Sequence, residues 1–319
     1  MADWLQRIVE DKSVKPAKGG SELLRDALYK HTKIAEYENI NLMLSTPNIN
    51  NVRFTKKNLL WQHLNYIDES LAPLRDNSFV KSIDSFVYVS HWQYEKFRYL
   101  FQVPTHNAHV IKNAIDPIEL LPKSKDGKIK LIYASTPFRG LEVLLDAFEM
   151  LNKDNVELDI YSSTLMYGSG YQAAYANLYE DLFNRARSMK NVNYHGYADN
   201  DTVRKAMQNA HILAYPSIFE ETSCMVMLEA GAAGCSLVTT NLGALLETGS
   251  EYAKMIEIQS DVKTLAINYA KALNEAIDNF WTIENQELLK EQSDFYNKYY
   301  SWERRALEWN ALFDKLSNS

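Results

Sequence analysis

His211-Ile212-Leu213-Ala214-Tyr215-Pro216-Ser217-Ile218-Phe219-Glu220-Glu221-Thr222-Ser223-Cys224-Met225-Val226-Met227-Leu228-Glu229-Ala230 carries the clearest strand–loop–helix signal in the chain. The apolar run 211–215 has the length and composition of a buried strand. Pro216 and Ser217 end it, small and polar residues form a loop, and a helical pattern opens near Cys224. A buried strand, a loop and a helix in that order make half of a βαβ unit, whose strands run parallel. The amides at the start of such a helix form a positive pocket suited to anionic oxygen.

The alternation continues on both sides. Upstream, short apolar runs at 130–134, 156–161 and 191–195 read as strands, with helical patterns at 141–151, 171–189 and 201–208. Leu141, Leu144, Leu145, Phe148 and Leu151 share one face of their helix. Downstream, a run at 236–239 follows the helix at 225–233, and from 265 to 316 the pattern is helical and rich in Trp and Tyr. Residues 123–127, Lys-Ser-Lys-Asp-Gly, read as a linker. Before it, 40–45, 58–63, 85–90 and 109–112 read as strands, and 21–29 and 92–101 as helices. This predicts an α/β protein of two Rossmann-like, doubly wound domains, 1–122 and 127–297, with ligands beyond the carboxyl ends of the strands.

The 319 residues, 46% hydrophobic and 24% charged, suffice for two cores. Cys224 and Cys235 form no CxxC and no cluster with histidines, which argues against a disulfide framework or a zinc site and fits a reducing compartment. The first 18 residues are charged with no apolar centre, and no apolar run reaches membrane-spanning length, so the expectation is a soluble, cytoplasmic protein. Net charge is −7, yet the first 125 residues are slightly basic and the remainder carries the acidity. A basic first half would favour weak peripheral association with anionic lipid or an anionic acceptor; scattered solvated charges fit equally. No motif favours nucleic acid.

Glu221 falls in the loop and Glu229 about two turns into the helix. A carboxylate at 229 suits paired sugar hydroxyls, each donating a hydrogen bond. The same spacing also suits Glu221 as a charge favoured by the helix dipole and Glu229 as a surface residue.

The run resembles the E-x7-E signature of retaining glycosyltransferases of family 4 (group 1), which have the GT-B fold. Glu221 and Glu229 stand as the two acids, and Leu228-Glu229-Ala230 with Gly234 matches the following helix. Ser236-Leu237-Val238-Thr239-Thr240, then Gly243-Ala244 and Glu247, continue the pattern. Gly196-Tyr197 is similar to the family's base-binding turn, and Asn113-Ala114-Ile115-Asp116 to its N-G-I-D segment, with alanine for glycine. Ser135-Thr136-Pro137-Phe138-Arg139-Gly140-Leu141 resembles a subgroup's S-x-P-x-R-G-L. Tyr300-Ser301-Trp302 resembles the carboxyl-terminal helix that returns to the first domain, so 298–319 would pack there.

The resemblance implies a cleft between the two domains that holds a nucleotide-diphosphate sugar as donor substrate, with no cofactor and no obligatory metal. Glu229 would hold the ribose, the backbone of Tyr197 would read the base, and Arg139 would offset the diphosphate charge. Amides of Thr222, Ser223, Cys224 and Met225 would hold phosphate or sugar oxygens, and the sugar hydroxyls would meet Glu221. His63 resembles the family's active-site histidine, and a pKa near neutrality would suit it to proton handling. Gly19-Gly20 resembles the glycine-rich loop near phosphates and acceptor; a Gly-Gly before a helix is a weak signal by itself. The activity implied is retaining, hexosyltransferase-type transfer from the donor to a glycan or lipid-linked acceptor.

Several positions depart from the pattern. No apolar strand precedes Gly19, the first domain is short, and Thr222 and Cys224 replace the usual glycines. The paired diphosphate cations are reduced to Arg139, with Ala134 or Ser135 near the other position. Two other functions share these features: a degenerate nucleotide-sugar-binding subunit, and a sugar-nucleotide epimerase. An epimerase would need more acid–base groups than His63 and Glu221.

Overall fold

The computed structural model describes residues 20–167 and 176–319. After α1 (Gly20–His31) come β1 (Ile40–Leu44), β2 (Lys57–Gln62), α2 (Asn77–Lys81), β3 (Ser85–Tyr88), α3 (His91–Phe101) and β4 (Ala108–Val110). The four strands pair in parallel and in sequence order. Leu59, Leu60 and Trp61 of β2 are all buried, and because consecutive side chains point to opposite faces, both faces need cover. Leu60, Phe86 and Tyr88 pack under the connections with Leu71, Phe79 and Phe97. Leu59, Trp61 and Val87 pack with Leu24 and Leu28 of α1 and, from the far end of the chain, Trp309, Leu312 and Phe313.

The second unit contains β5 (Ile129–Ala134), α4 (Leu141–Leu151), β6 (Val156–Tyr161), α5 (Glu180–Ser188), β7 (Val192–Tyr194), α6 (Asn200–Asn209), β8 (Ile212–Tyr215), α7 (Met225–Ala232), β9 (Ser236–Thr240), α8 (Leu245–Gly249) and β10 (Ala253–Ile256). Its parallel strands lie in the order β10-β9-β8-β5-β6-β7, so the winding reverses between β8 and β5. α9 (Val262–Asn279) packs on α4 and α10 (Ile283–Tyr299) on α7. α11 (Trp302–Ser317), capped by Ser301, which accepts from the Arg304 amide, returns to the first sheet. The two crossings between the units lie side by side, with the Ile115 amide donating to the Tyr300 carbonyl at 2.8 Å.

The structure departs from or adds to the sequence reading at four points. A reversal of winding was expected in both halves; among the described residues the first sheet runs in simple order. Right-handed crossovers then fall on one face, which leaves the other face to α1 and α11. The long helix expected at 171–189 is, within the described residues, only α5 behind a 3-10 turn at Ala176–Leu178; 168–175 lie outside them. Tyr179 leaves helical geometry (φ −112, ψ 4), and Glu180 and Asp181 restart the helix where its dipole favours acids. The linker at 123–127 is anchored at Lys123, whose ammonium donates to the carbonyls of Met207, Gln208 and Ala233 at 3.1, 2.8 and 2.9 Å. Burial pulls that lysine below its ordinary pKa. Finally, α8 and the short edge strand β10 were not expected from the sequence.

Candidate functional site

The loops after β5 and β8 emerge at the point where the winding reverses, the place where open α/β sheets bind ligands. Two glycines draw these loops together. Gly140 has φ +108, and a Cβ there would lie 2.1 Å from the Pro216 carbonyl oxygen. Gly243 has φ +67, and a Cβ there would lie 2.6 Å from the Glu221 amide nitrogen. Only glycine permits both the backbone angle and the approach.

Arg139, at the end of a 3-10 turn (Pro137–Arg139), thereby reaches Glu221. Its Nη1 lies 2.7 and 2.8 Å from the two carboxylate oxygens. The Tyr215 hydroxyl donates to Glu221 Oε1 at 2.6 Å. Glu221 is 3% exposed, so its charge is balanced by the arginine and the phenol rather than by water. Arg139 also lies over the Phe219 ring, 4.7 Å from its centroid. The arginine expected to face a diphosphate and the acid expected to face a sugar are thus paired with each other.

Glu229 lies one turn inside α7, not two, because the helix begins only at Met225. It is buried rather than a surface residue (6% exposed), and it accepts from Asn200 Nδ2 at 3.1 Å with Arg204 Nη1 at 3.9 Å. Burial raises its pKa, while Asn200 and Arg204 oppose the rise. The two acids bracket the amino end of α7, four residues either side of Met225. Cys224, at φ +76, precedes that end and supplies no side-chain cap.

The first unit closes on this loop. Thr222 Oγ1 donates to the His63 carbonyl at 2.9 Å, and Asn65 Nδ2 to the Glu220 carbonyl at 2.7 Å. Met225 packs against the cores of both units. His63 directly follows β2, its ring against Trp61 and its Nδ1 3.2 Å from Ser45 Oγ. The residue is half-buried, but its Nε2 is shielded from solvent, and burial lowers its pKa to about 3. The expected near-neutral titration is therefore overturned: desolvation disfavours the imidazolium. Glu247, on α8, accepts from the His91 and Trp92 amides at 2.9 and 3.2 Å and pairs with Lys112, a second clasp between the units.

Tyr197 follows Gly196 (φ +71) beyond β7 and is half-buried, its phenol raised by burial and by Asp199. Gly20 opens α1, where a Cβ would meet nothing within 4 Å, so its backbone is not pressed against another part of the described chain. Gly19 and the segment before it lie outside the described residues. Among the described residues no cluster of three or more His, Cys, Asp or Glu could hold a metal, and no helix is long and apolar enough to cross a membrane. The sequence had not singled out Tyr215, Asn200, Arg204, Asn65 or Lys112. Only Tyr215, which ends the strand directly before the acidic loop, had a local signal.

Residues 129–278 match the profile of glycosyl transferases group 1. An uncharacterized glycosyltransferase of Methanocaldococcus jannaschii is 25% identical over 227 residues, 66% of this chain and 54% of that protein, so the match spans about half of the curated relative. A glycosyltransferase from Rickettsia africae superposes with a TM-score of 0.67 at 14% identity, over 99% of this chain and 88% of that one. Anabaena HepE in complex with UDP-glucose gives 0.67 at 15%, over 93% and 82%. Such likeness establishes the fold: two parallel α/β units in the GT-B arrangement.

Proposed function

We propose that the chain is a retaining glycosyltransferase that moves a hexose-type sugar from a nucleotide-diphosphate donor to a glycan or lipid-linked acceptor. One observation carries the reading: Arg139 and Glu221 meet, nearly buried, where the strand order reverses and beside the amino end of α7. A cation, a carboxylate and helix amides at one place suit a leaving diphosphate and sugar hydroxyls together. The UDP-glucose held by HepE and the group 1 match over 129–278 favour a nucleotide sugar there.

In this reading the base lies by Gly196-Tyr197, Glu229 takes the ribose hydroxyls, and Arg139 with the amides of Thr222, Ser223, Cys224 and Met225 takes the diphosphate. Glu221 orients the sugar, and Gly20 opens the helix on the acceptor side. The acceptor enters from the first unit and attacks the face that the leaving phosphate occupies, which retains configuration. His63 lies near the reacting sugar as a neutral ring. The diphosphate leaves against fixed positive charge, so no metal or cofactor is needed. The domains are those of the sequence reading, 1–122 with 298–319, and 127–297.

A thermal-shift screen of UDP-glucose, UDP-N-acetylglucosamine and GDP-mannose tests this, because a bound donor stabilises the fold by mass action. A stabilising sugar nucleotide is then supplied for hydrolysis or transfer, with Glu221→Ala as the control. Absence of any shift, or turnover undiminished in Glu221→Ala, refutes the assignment.

A further inference from the structure

Tyr215 is the last residue of β8 and is fully buried. Its ring lies 5.8 Å from that of Tyr133, and its carbonyl accepts from Thr239 Oγ1 at 2.7 Å. The phenol is therefore fixed by a central strand, whereas Arg139 and Glu221 both stand on loops. Ser135 Oγ lies 3.3 Å from the phenol oxygen, which donates its own proton to Glu221 at 2.6 Å. Burial and the neighbouring carboxylate keep the phenol protonated far above its ordinary range, so it remains a donor. With Ser135 donating to the phenol, the two bonds polarise each other toward Glu221.

Arg139 is the competing partner. Its Nη1 spans both oxygens of Glu221, and a diphosphate arriving at α7 would draw the same guanidinium away. The phenol contact, built into the sheet, would remain. We propose that Tyr215 is a positioning residue, relayed from Ser135, that holds the Glu221 carboxylate toward the donor sugar while Arg139 engages the diphosphate. This rests on the nucleotide-sugar reading above. Ser135 then serves the sugar end of the donor through Tyr215.

The test compares nucleotides with and without the sugar. Binding of UDP, UDP-glucose, GDP and GDP-mannose is measured by titration calorimetry on the full chain, in the wild type and in Tyr215→Phe, which removes only the hydroxyl. Tyr215→Phe keeps affinity for the nucleoside diphosphate and weakens the matching nucleotide sugar about tenfold, the size of one hydrogen bond to a charged group. Glu221→Gln weakens the sugar form as well, and combining the two substitutions adds no further loss. Ser135→Ala gives a smaller loss of the same kind and carries the test should Tyr215→Phe not fold. Equal weakening of diphosphate and nucleotide sugar, or additive losses, would mean that Tyr215 only fills the core. A wild type that binds none of the four compounds overturns the donor reading and this inference together. Binding by the wild type with an unchanged sugar preference in Tyr215→Phe overturns this inference alone.

Discussion

Arg139 and Glu221, 82 residues apart in sequence, face each other with Nη1 2.7 Å from Oε1 across the reversal of the second sheet. The pair is asymmetric: the Glu221 side chain is 4% exposed and the Arg139 side chain 23%. Removing the cation strands a buried charge, which costs more than the pair itself contributes. Arg139→Met should destabilise the chain by about 2 kcal/mol, below the range for fully buried pairs because Arg139 retains some solvent. Adding Glu221→Gln should recover part of that loss. Urea midpoints of the wild type, both single variants and the double variant check it; additive losses would show that the pair is not coupled.

His63 should give the acid side of stability a distinct form. Its folded pKa, lowered to about 3 by burial, lies below the ordinary histidine value of 6.5. Between those values the unfolded chain binds the extra proton, so stability rises with pH there. The neutral ring is tolerated fully above 6.5, and stability falls as pH drops from 6.5 toward 3, by up to about 1.4 kcal/mol per pH unit. His63→Asn should flatten that slope when melting temperature is followed from pH 7 down to pH 4. A rate limb near pH 6.5 that persists in His63→Asn belongs to another group.

The parts of this site that were legible in the sequence are those whose chemistry is local. Glu221, Arg139 and the opening of α7 each follow a strand end, where loop and helix signals coincide within a few residues. Asn200 and Glu229 stand 29 positions apart, and His91 and Glu247 stand 156 apart; no spacing rule connects them, because the first pair meets only once the second sheet has formed and the second only once the two units pack. His63 was visible as a residue but not as a base, since its titration is set by the shielding of Nε2 within the folded chain. The simple order of the first sheet leaves no mark on any single strand. It shows only when α1 and α11 are seen covering the face that an opposite winding would otherwise fill.

Glu229 predicts a pH dependence of nucleotide binding. Burial raises its pKa above the ordinary 4.5, and a carboxylate accepts two ribose hydroxyls only when ionised. Affinity for UDP should strengthen as pH rises through that elevated value and level off above it. Glu229→Gln should be weaker at neutral pH and nearly flat. Asn200→Ala removes the bond that favours the ionised form and should move the transition to higher pH. Titration of UDP between pH 5 and 8 distinguishes these outcomes; identical profiles in wild type and Glu229→Gln would remove the ribose role.

Glu247 is a second fastening between the two units. Its carboxylate meets the first amides of α3, where the helix dipole favours negative charge, and pairs with Lys112. Burial alone would raise its pKa, but the bonds from Lys112 and His91 outweigh that and hold it below 4.5. A depressed acid contributes stability above its unfolded value and loses it as pH falls through the folded one, so the clasp is fully formed at neutral pH. Glu247→Ala should therefore open the chain at pH 7: a larger radius of gyration in small-angle scattering, and faster proteolysis between residues 113 and 127. Wild type taken to strongly acidic pH should move the same way before it unfolds. Scattering identical for wild type and Glu247→Ala at pH 7 would assign closure instead to Thr222, Asn65 and the packing of Met225, and Thr222→Val would then open the chain.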